Sequence, residues 1–110
     1  MFKLAKKQTF THEVKVRTPV DGGYRDEAFK AKFDMITIEE RGTFDISKAE
    51  GTGAFLKRVV IGLEEVVDES NKPVPYSDEL RDQLINLPHT RQALAAAYFE
   101  AVANDPKAGN

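Results

Sequence analysis
The sequence predicts an α+β fold: an antiparallel β-hairpin packed on three to four helices, with a small second hairpin. Three observations carry this expectation. Residues 9–18 alternate apolar and polar with period two, the mark of a half-buried strand. A second such run, Tyr24 to Met35, follows directly after Asp21-Gly22-Gly23, and these turn residues supply the positive φ angles of a tight hairpin. Later in the chain apolar residues recur at helical spacing, from Phe55 to Leu63 and again from Leu80 to Val102.

Element by element, Met1 to Gln8 reads as an arm or a frayed start. In the first strand Phe10, His12, Val14 and Val16 share one face, and Thr11, Glu13, Lys15 and Arg17 share the other. In the second, Phe29, Ala31, Phe33 and Met35 oppose Lys30, Lys32 and Asp34. An isolated hairpin is marginal in water, so its apolar face needs a cover. Thr37-Ile38-Glu39-Glu40 has the capping-box pattern: the threonine oxygen accepts from a free N–H and the glutamate three residues on reaches back. A short helix ending near Gly42 is expected. Gly42 to Gly53 reads as a mobile loop with a helical turn around Ile46 to Glu50; the alternative is that Phe44 and Ile46 pin the loop to the core.

Ala54 to Glu65 reads as a helix that covers the first hairpin, with Phe55, Leu56, Val59, Val60 and Leu63 inward. Val67 and Val74 flank a polar turn as the second hairpin. Pro73 and Pro75 stand two apart, so their missing N–H groups fall on one side and block that edge. Ser77 is an N-cap, followed by Asp78 and Glu79 where the helix dipole favours acid. Leu80, Leu84 and Ile85 give that helix its buried side. Pro88 suits the first turn of a final helix, about Pro88 to Asn104, with Leu94, Tyr98 and Ala101 along one line and Ala95, Phe99 and Val102 along the next. Its alanines permit close helix packing. Asp105 to Asn110 reads as a flexible tail.

The 110 residues suit one domain, 1–110, with 1–8 and 105–110 as flexible ends. A chain of this length buries a modest core, which leaves apolar surface for a partner. With 41% hydrophobic residues there is still no apolar run near the ~20 that a membrane span needs. The net charge of −2 argues against a dedicated nucleic-acid binder. The absence of cysteine excludes disulfides and thiolate metal sites and fits a reducing cytoplasm. Met1 to Lys7 has lysines but neither the apolar stretch nor the cleavage site of a signal peptide. Charge is uneven: Lys3, Lys6, Lys7, Lys15 and Arg17 make the start basic, while Glu64, Glu65, Asp68, Glu69, Asp78, Glu79 and Asp82 make the centre acidic. This reads either as steering between copies or partners, or as two solvated faces.

Catalytic patterns are thin. His12 and His89 fall in different elements without metal-ligand spacing. Glu39-Glu40 and Glu64-Glu65 are neighbours, which diverge by about 100° on a helix. Gly51-Thr52-Gly53 lacks phosphate-loop spacing, and Thr52 reads as a plain N-cap. No serine or threonine completes a nucleophilic triad. The expectation is therefore no enzyme, no cofactor and no metal. Tyr76, Tyr98 and Phe99 stand out. Aromatics fill small cores and also the centres of protein interfaces. Phe99 reads as core, and Tyr76 and Tyr98 suit either role.

In order, the pieces TFTHEVKVRTPVDGGYRDEAFKAKF, FLKRVVIGLEEVVDESNKPVPYS and LRDQLINLPHTRQALAAAYFEAV resemble the tail assembly chaperones of long-tailed bacteriophages and prophages. In that family a helix leads into a Gly-x-x-x-Val-Val-Asp turn. A Pro-hydrophobic-Pro return, a helix, a Leu-Pro break and an Ala-rich Tyr-Phe helix follow. Gly62, Val66, Val67, Asp68, Pro75, Tyr76, Ser77, Leu87, Pro88, Arg91, Tyr98 and Phe99 match. The likeness spans the chain except Gly42 to Gly53, and Leu63 stands where the family pattern has tryptophan.

The resemblance implies a non-enzymatic protein that coats the tape-measure protein, keeps it soluble and helps recruit tail tube subunits. It implies residence in the host cytoplasm and absence from the mature virion; the expectation of no nucleic-acid or membrane partner comes from the charge and the lack of a long apolar run. Self-association is a further expectation. It also implies a longer form made by −1 frameshifting, and Asp105-Pro106-Lys107 is compatible with a slippery C-CCA-AAG. The candidate partner-binding residues are Tyr76, Leu84, Leu87 and Tyr98. The alternative is a structural tail component, a tube or connector subunit.

Overall fold
A computed structural model describes residues 1–103. Strands β1 (Thr9–Val20) and β2 (Gly23–Asp34) form the long hairpin, paired antiparallel without a slip from Thr9↔Asp34 to Val20↔Gly23. Within the turn only Gly22 has a positive φ, +82°, the left-handed region that glycine enters without strain. Beyond Val16 and Phe29 the hairpin outruns its core and stands in solvent, which helps stretch the molecule to 47 × 28 × 27 Å. Met35 lies past the end of β2 and is exposed, so it does not extend the buried face.

The helix expected over Ala54–Glu65 is two elements. Helix α2 runs Ala49–Val59, and the chain then straightens into β3, Val60–Glu64, which pairs antiparallel with Lys30–Phe33. The sheet is thus three-stranded, in the order β1-β2-β3. Val59-Val60-Ile61 is a β-branched run, stiff at χ1 and favoured on a pleated surface. The open edge of β2 offers it a ladder that a solvated last helical turn lacks. Gly62 faces Lys32 so closely that a Cβ would lie 3.2 Å from the lysine Cβ. Leu63, opposite Ala31, is buried.

Helix α2 also begins five residues before the expected start. Thr52 is therefore no N-cap; it lies inside the helix and donates its hydroxyl to the Ile46 carbonyl at 3.0 Å. The glycines flanking it serve close approach: a Cβ on Gly51 would overlap the Asp45 carbonyl, and one on Gly53 would lie 3.0 Å from the Arg91 guanidinium. Phe44 and Ile46 are half-buried against the core, which matches the alternative of a pinned loop and not that of a mobile one.

Helix α1 (Ile38–Arg41) is capped by the Thr37 hydroxyl, which accepts from the Glu40 N–H at 3.0 Å. The expected reciprocal bond from Glu40 is absent, because its carboxylate goes to Arg58. The second hairpin is a single bridge, Val67↔Pro73, held by Val74 N–H to Val66 O at 2.8 Å and Asp68 N–H to Lys72 O at 2.9 Å. With Val74 bonded inward, the ring nitrogens of Pro73 and Pro75 point to the outer edge. Helix α3 (Asp78–Ile85) is capped by Ser77, whose Oγ accepts from the Leu80 N–H at 3.0 Å. Helix α4 spans Pro88–Ala103. The tail 105–110 and Asn104 lie outside the described residues.

The core lies between one face of the sheet and helices α2, α3 and α4. At its centre Tyr98 meets Phe55, Phe33 and Phe10 at ring separations of 5.1, 5.6 and 6.0 Å, and Phe99 stacks on Phe55 at 5.4 Å. The other sheet face carries Thr11, Glu13, Lys15, Arg17, Lys30 and Lys32 and meets solvent, as one-sided antiparallel sheets do.

Candidate partner-binding face
Tyr98 is only 3% exposed and its hydroxyl accepts from the Ile36 N–H at 3.4 Å. It is core, which corrects its placing among the partner-binding residues. An aromatic on an alanine-rich helix fills the space that its small neighbours leave open. Burial pushes its phenol above the ordinary tyrosine range, with the Ile36 N–H acting the other way. Tyr76 is half-buried against the core, and its hydroxyl donates to Asp78 Oδ1 at 3.4 Å. Burial raises its pKa also, opposed by Arg81 nearby.

Leu84 and Leu87 lead to a surface feature. A shallow, mainly apolar groove of about 170 Å³ opens under the overhanging hairpin. Val16 and Phe29 form its roof, Val66 and Val67 one wall, and Leu84, His89 and Thr90 the floor. The floor exists because Pro88 starts a new helix, which turns the chain between α3 and α4. The Thr90 hydroxyl secures that turn by donating to the Leu84 carbonyl. The wall exists because Glu65 takes a positive φ of 65° and reverses the chain out of β3. Leu87 at the turn is 44% exposed and Val67 is 51% exposed. Tyr76 does not line the groove.

Sequence reasoning missed Val67 as a surface residue and missed the charged rim. Its available signal was Val66-Val67 directly ahead of a polar turn. On the rim Glu27 is held below the usual carboxylate range, first by the Thr18 hydroxyl, against desolvation, and then by Arg25, with His89 adding a smaller pull.

A second depression, about 770 Å³ and open, lies between α2 and α3 and is about half polar, with Glu50, Lys57, Glu79 and Asp82 beside Ala49, Ala54 and Ile85 on its walls. The guanidinium of Arg91 on its border is already committed: Nε donates to Ile85 O and Nη1 to Ala49 O, both at 2.6 Å. It ties the end of α3 to the start of α2. A further ion cluster joins Arg58 to Asp34 (2.8 Å) and to both oxygens of Glu40 (2.6 and 3.2 Å). These hydrogen bonds raise the Arg58 pKa, Asp34 first. Among the described residues no three histidines or carboxylates converge on a metal position, and no helix is long and apolar enough to cross a membrane. In comparisons with known proteins the chain matches no family model, no curated protein and no solved structure.

Proposed function
We propose that this chain is a non-enzymatic tail assembly chaperone of a long-tailed phage or prophage. It binds the tape-measure protein, helps recruit tail tube subunits, acts in the host cytoplasm and is left out of the finished particle. One observation supports the reading above others: an apolar groove is lined by Val66 and Val67 of the family pattern, and Leu87-Pro88 of that pattern adjoin it without lining it. The floor of the groove holds Leu84, and Leu87-Pro88 form the turn beside it. A helical client presents apolar side chains at i, i+3 and i+4, and such a stripe fits an apolar groove between an overhanging strand pair and a helix junction.

Co-expression with the tape-measure gene product of the same genome tests the proposal. The client is expected to become soluble and to co-purify, and the joint change Val67→Asp with Leu87→Asp is expected to abolish both while the protein stays folded. A client that remains insoluble overturns the reading. Stoichiometric copies in purified particles would instead make the protein a tube or connector subunit.

A further inference from the structure
Strand β1 is an edge of the sheet, and its hydrogen-bond parity determines what that edge can do. The two-residue loop closes on the pair Val20↔Gly23, so even-numbered residues of β1 bond to β2. The bond from Met35 N–H to Gln8 O at 2.8 Å continues the same parity. The odd-numbered residues Thr11, Glu13, Lys15 and Arg17 therefore aim their N–H and C=O groups outward. Among the described residues none of these groups has a backbone partner. Only the Glu13 carbonyl is engaged, at 2.7 Å from His12 Nδ1, and it retains a second lone pair. No bulge interrupts β1, and its only proline, Pro19, is at the far tip. Beside this edge runs a cleft of about 200 Å³ whose opposite wall is Ala93, Ala96 and Ala97 of α4, with Glu100 of the same helix at its end. Small side chains there leave room for a strand and bring the helix within reach of a neighbour.

We propose that this edge pairs antiparallel with the same edge of a second copy, with Val14 on the two-fold axis, so that two three-stranded sheets become one. Charge selects both the occupant and the register. A lysine on an edge ordinarily discourages pairing, but here Glu13 and Lys15 straddle Val14. In the register centred on Val14, Glu13 of each copy lies opposite Lys15 of the other, in a hydrogen-bonded pair, and Thr11 lies opposite Arg17. Centring on Glu13 or Lys15 sets like charges face to face, and centring on Val16 sets Lys15 against Arg17. The axis stands perpendicular to the sheet, so both α4 helices stay on the same face and meet through their alanines.

Analytical ultracentrifugation of the full chain, from micromolar to millimolar, tests this. The wild-type mass is expected to rise with concentration to that of a dimer, and less readily at high salt. Lys15→Glu sets Glu13 against a glutamate, and Glu13→Lys sets Lys15 against a lysine. Each is expected to weaken the dimer about tenfold or more. An equimolar mixture of the two variants restores both attractive pairs and is expected to regain wild-type affinity as a heterodimer. Lys15 lies across from Ala28 within its own sheet, so Lys15→Glu leaves folding intact, as its thermal melt would show. In the dimer the amides of Thr11, Glu13, Lys15 and Arg17 gain hydrogen-exchange protection. A wild-type chain monomeric throughout, a dimer indifferent to both charge changes, or a mixture that fails to recover overturns the proposal.

Discussion

Gly51 lies directly against the Asp45 carbonyl: a Cβ at this position would overlap the oxygen, and the turn at 45–48 closes onto helix α2 only because there is none. Two principles then give opposite signs for Gly51→Ala. Helix propensity favours alanine by about 1 kcal/mol. Forcing an atom into occupied space costs about 1–3 kcal/mol and more where backbone must move. Because the obstacle is backbone, the steric effect wins. Gly51→Ala is expected to lower stability by about 2 kcal/mol, read as a drop in the urea midpoint. A rise in that midpoint would show that the turn can shift at little cost.

Arg91 bonds two carbonyls on different helices, Ile85 O and Ala49 O, while lying over Gly53. Charged donors in such bonds contribute about 1.5–3 kcal/mol each where the site is dry, and this one is half-buried. Arg91→Ala is expected to cost about 2 kcal/mol. Arg91→Lys recovers little of it, because an ammonium has no planar fork to reach both oxygens. Equal stability of the lysine variant and wild type would refute the fork.

Asp34 is 8% exposed and meets Arg58 at 2.8 Å. Removing Arg58 strands the buried Asp34 carboxylate and frees the half-exposed Glu40, whereas changing Arg58 and Asp34 together leaves only Glu40, which water can solvate. Arg58→Leu alone is expected to destabilise by about 2 kcal/mol, and the double change Arg58→Leu with Asp34→Asn by clearly less. The measurement is a double-mutant cycle by chemical denaturation, and strict additivity would contradict it.

Tyr98 gives the fold an alkaline limit. Burial raises its pKa in the folded chain, so the phenol ionises first in the unfolded chain, at about pH 10. The stabilisation is complete below that pH and is lost as pH rises toward the folded value. Tyr76, raised by burial as well, acts in the same direction. Tyr98→Phe loses the bond from the Ile36 N–H and is expected to be weaker by about 1 kcal/mol at neutral pH. Its stability should then fall less steeply than wild type between about pH 9 and 11. Parallel curves would remove Tyr98 from the account.

Much of this architecture is legible in the residues because its signals are local. Period-two alternation and Asp21-Gly22-Gly23 locate the long hairpin, Ser77 and Thr37 cap the helices expected of them, and Pro88 begins α4. Strand β3 is not legible, because Val59-Val60-Ile61 suits a helix or a strand and only the waiting edge of β2 decides. The start of α2 is hidden for a related reason: Gly51 and Gly53 read as breakers when their neighbours in space are unknown, and as contact points once Asp45 and Arg91 are in place. At the candidate face, Leu84 is found from the break at Pro88 and Leu87 stands beside the groove without lining it, whereas Val67 needs the reversal at Glu65 to reach the groove. Tyr98 is misjudged because an alanine-rich helix does not advertise which side is inward.

The candidate face makes a prediction that separates folding from binding. Val67 and Leu87 are half in water, so charging them removes little buried area, and each change is expected to alter stability by less than about 1 kcal/mol. Tyr98→Ala empties the middle of the aromatic cluster and is expected to cost about 3–5 kcal/mol, a large share of what a domain of this size holds. If the groove is the binding surface, Val67→Asp and Leu87→Asp lose the client with unchanged melts. Tyr98→Ala loses it only as far as the protein unfolds, so lowering the temperature or adding a stabilising osmolyte restores its binding and not theirs. Under the proposed function, co-purification of the tape-measure protein followed against temperature distinguishes the two, and client capture by a folded Val67→Asp, Leu87→Asp double variant would move the proposed binding surface elsewhere on the molecule.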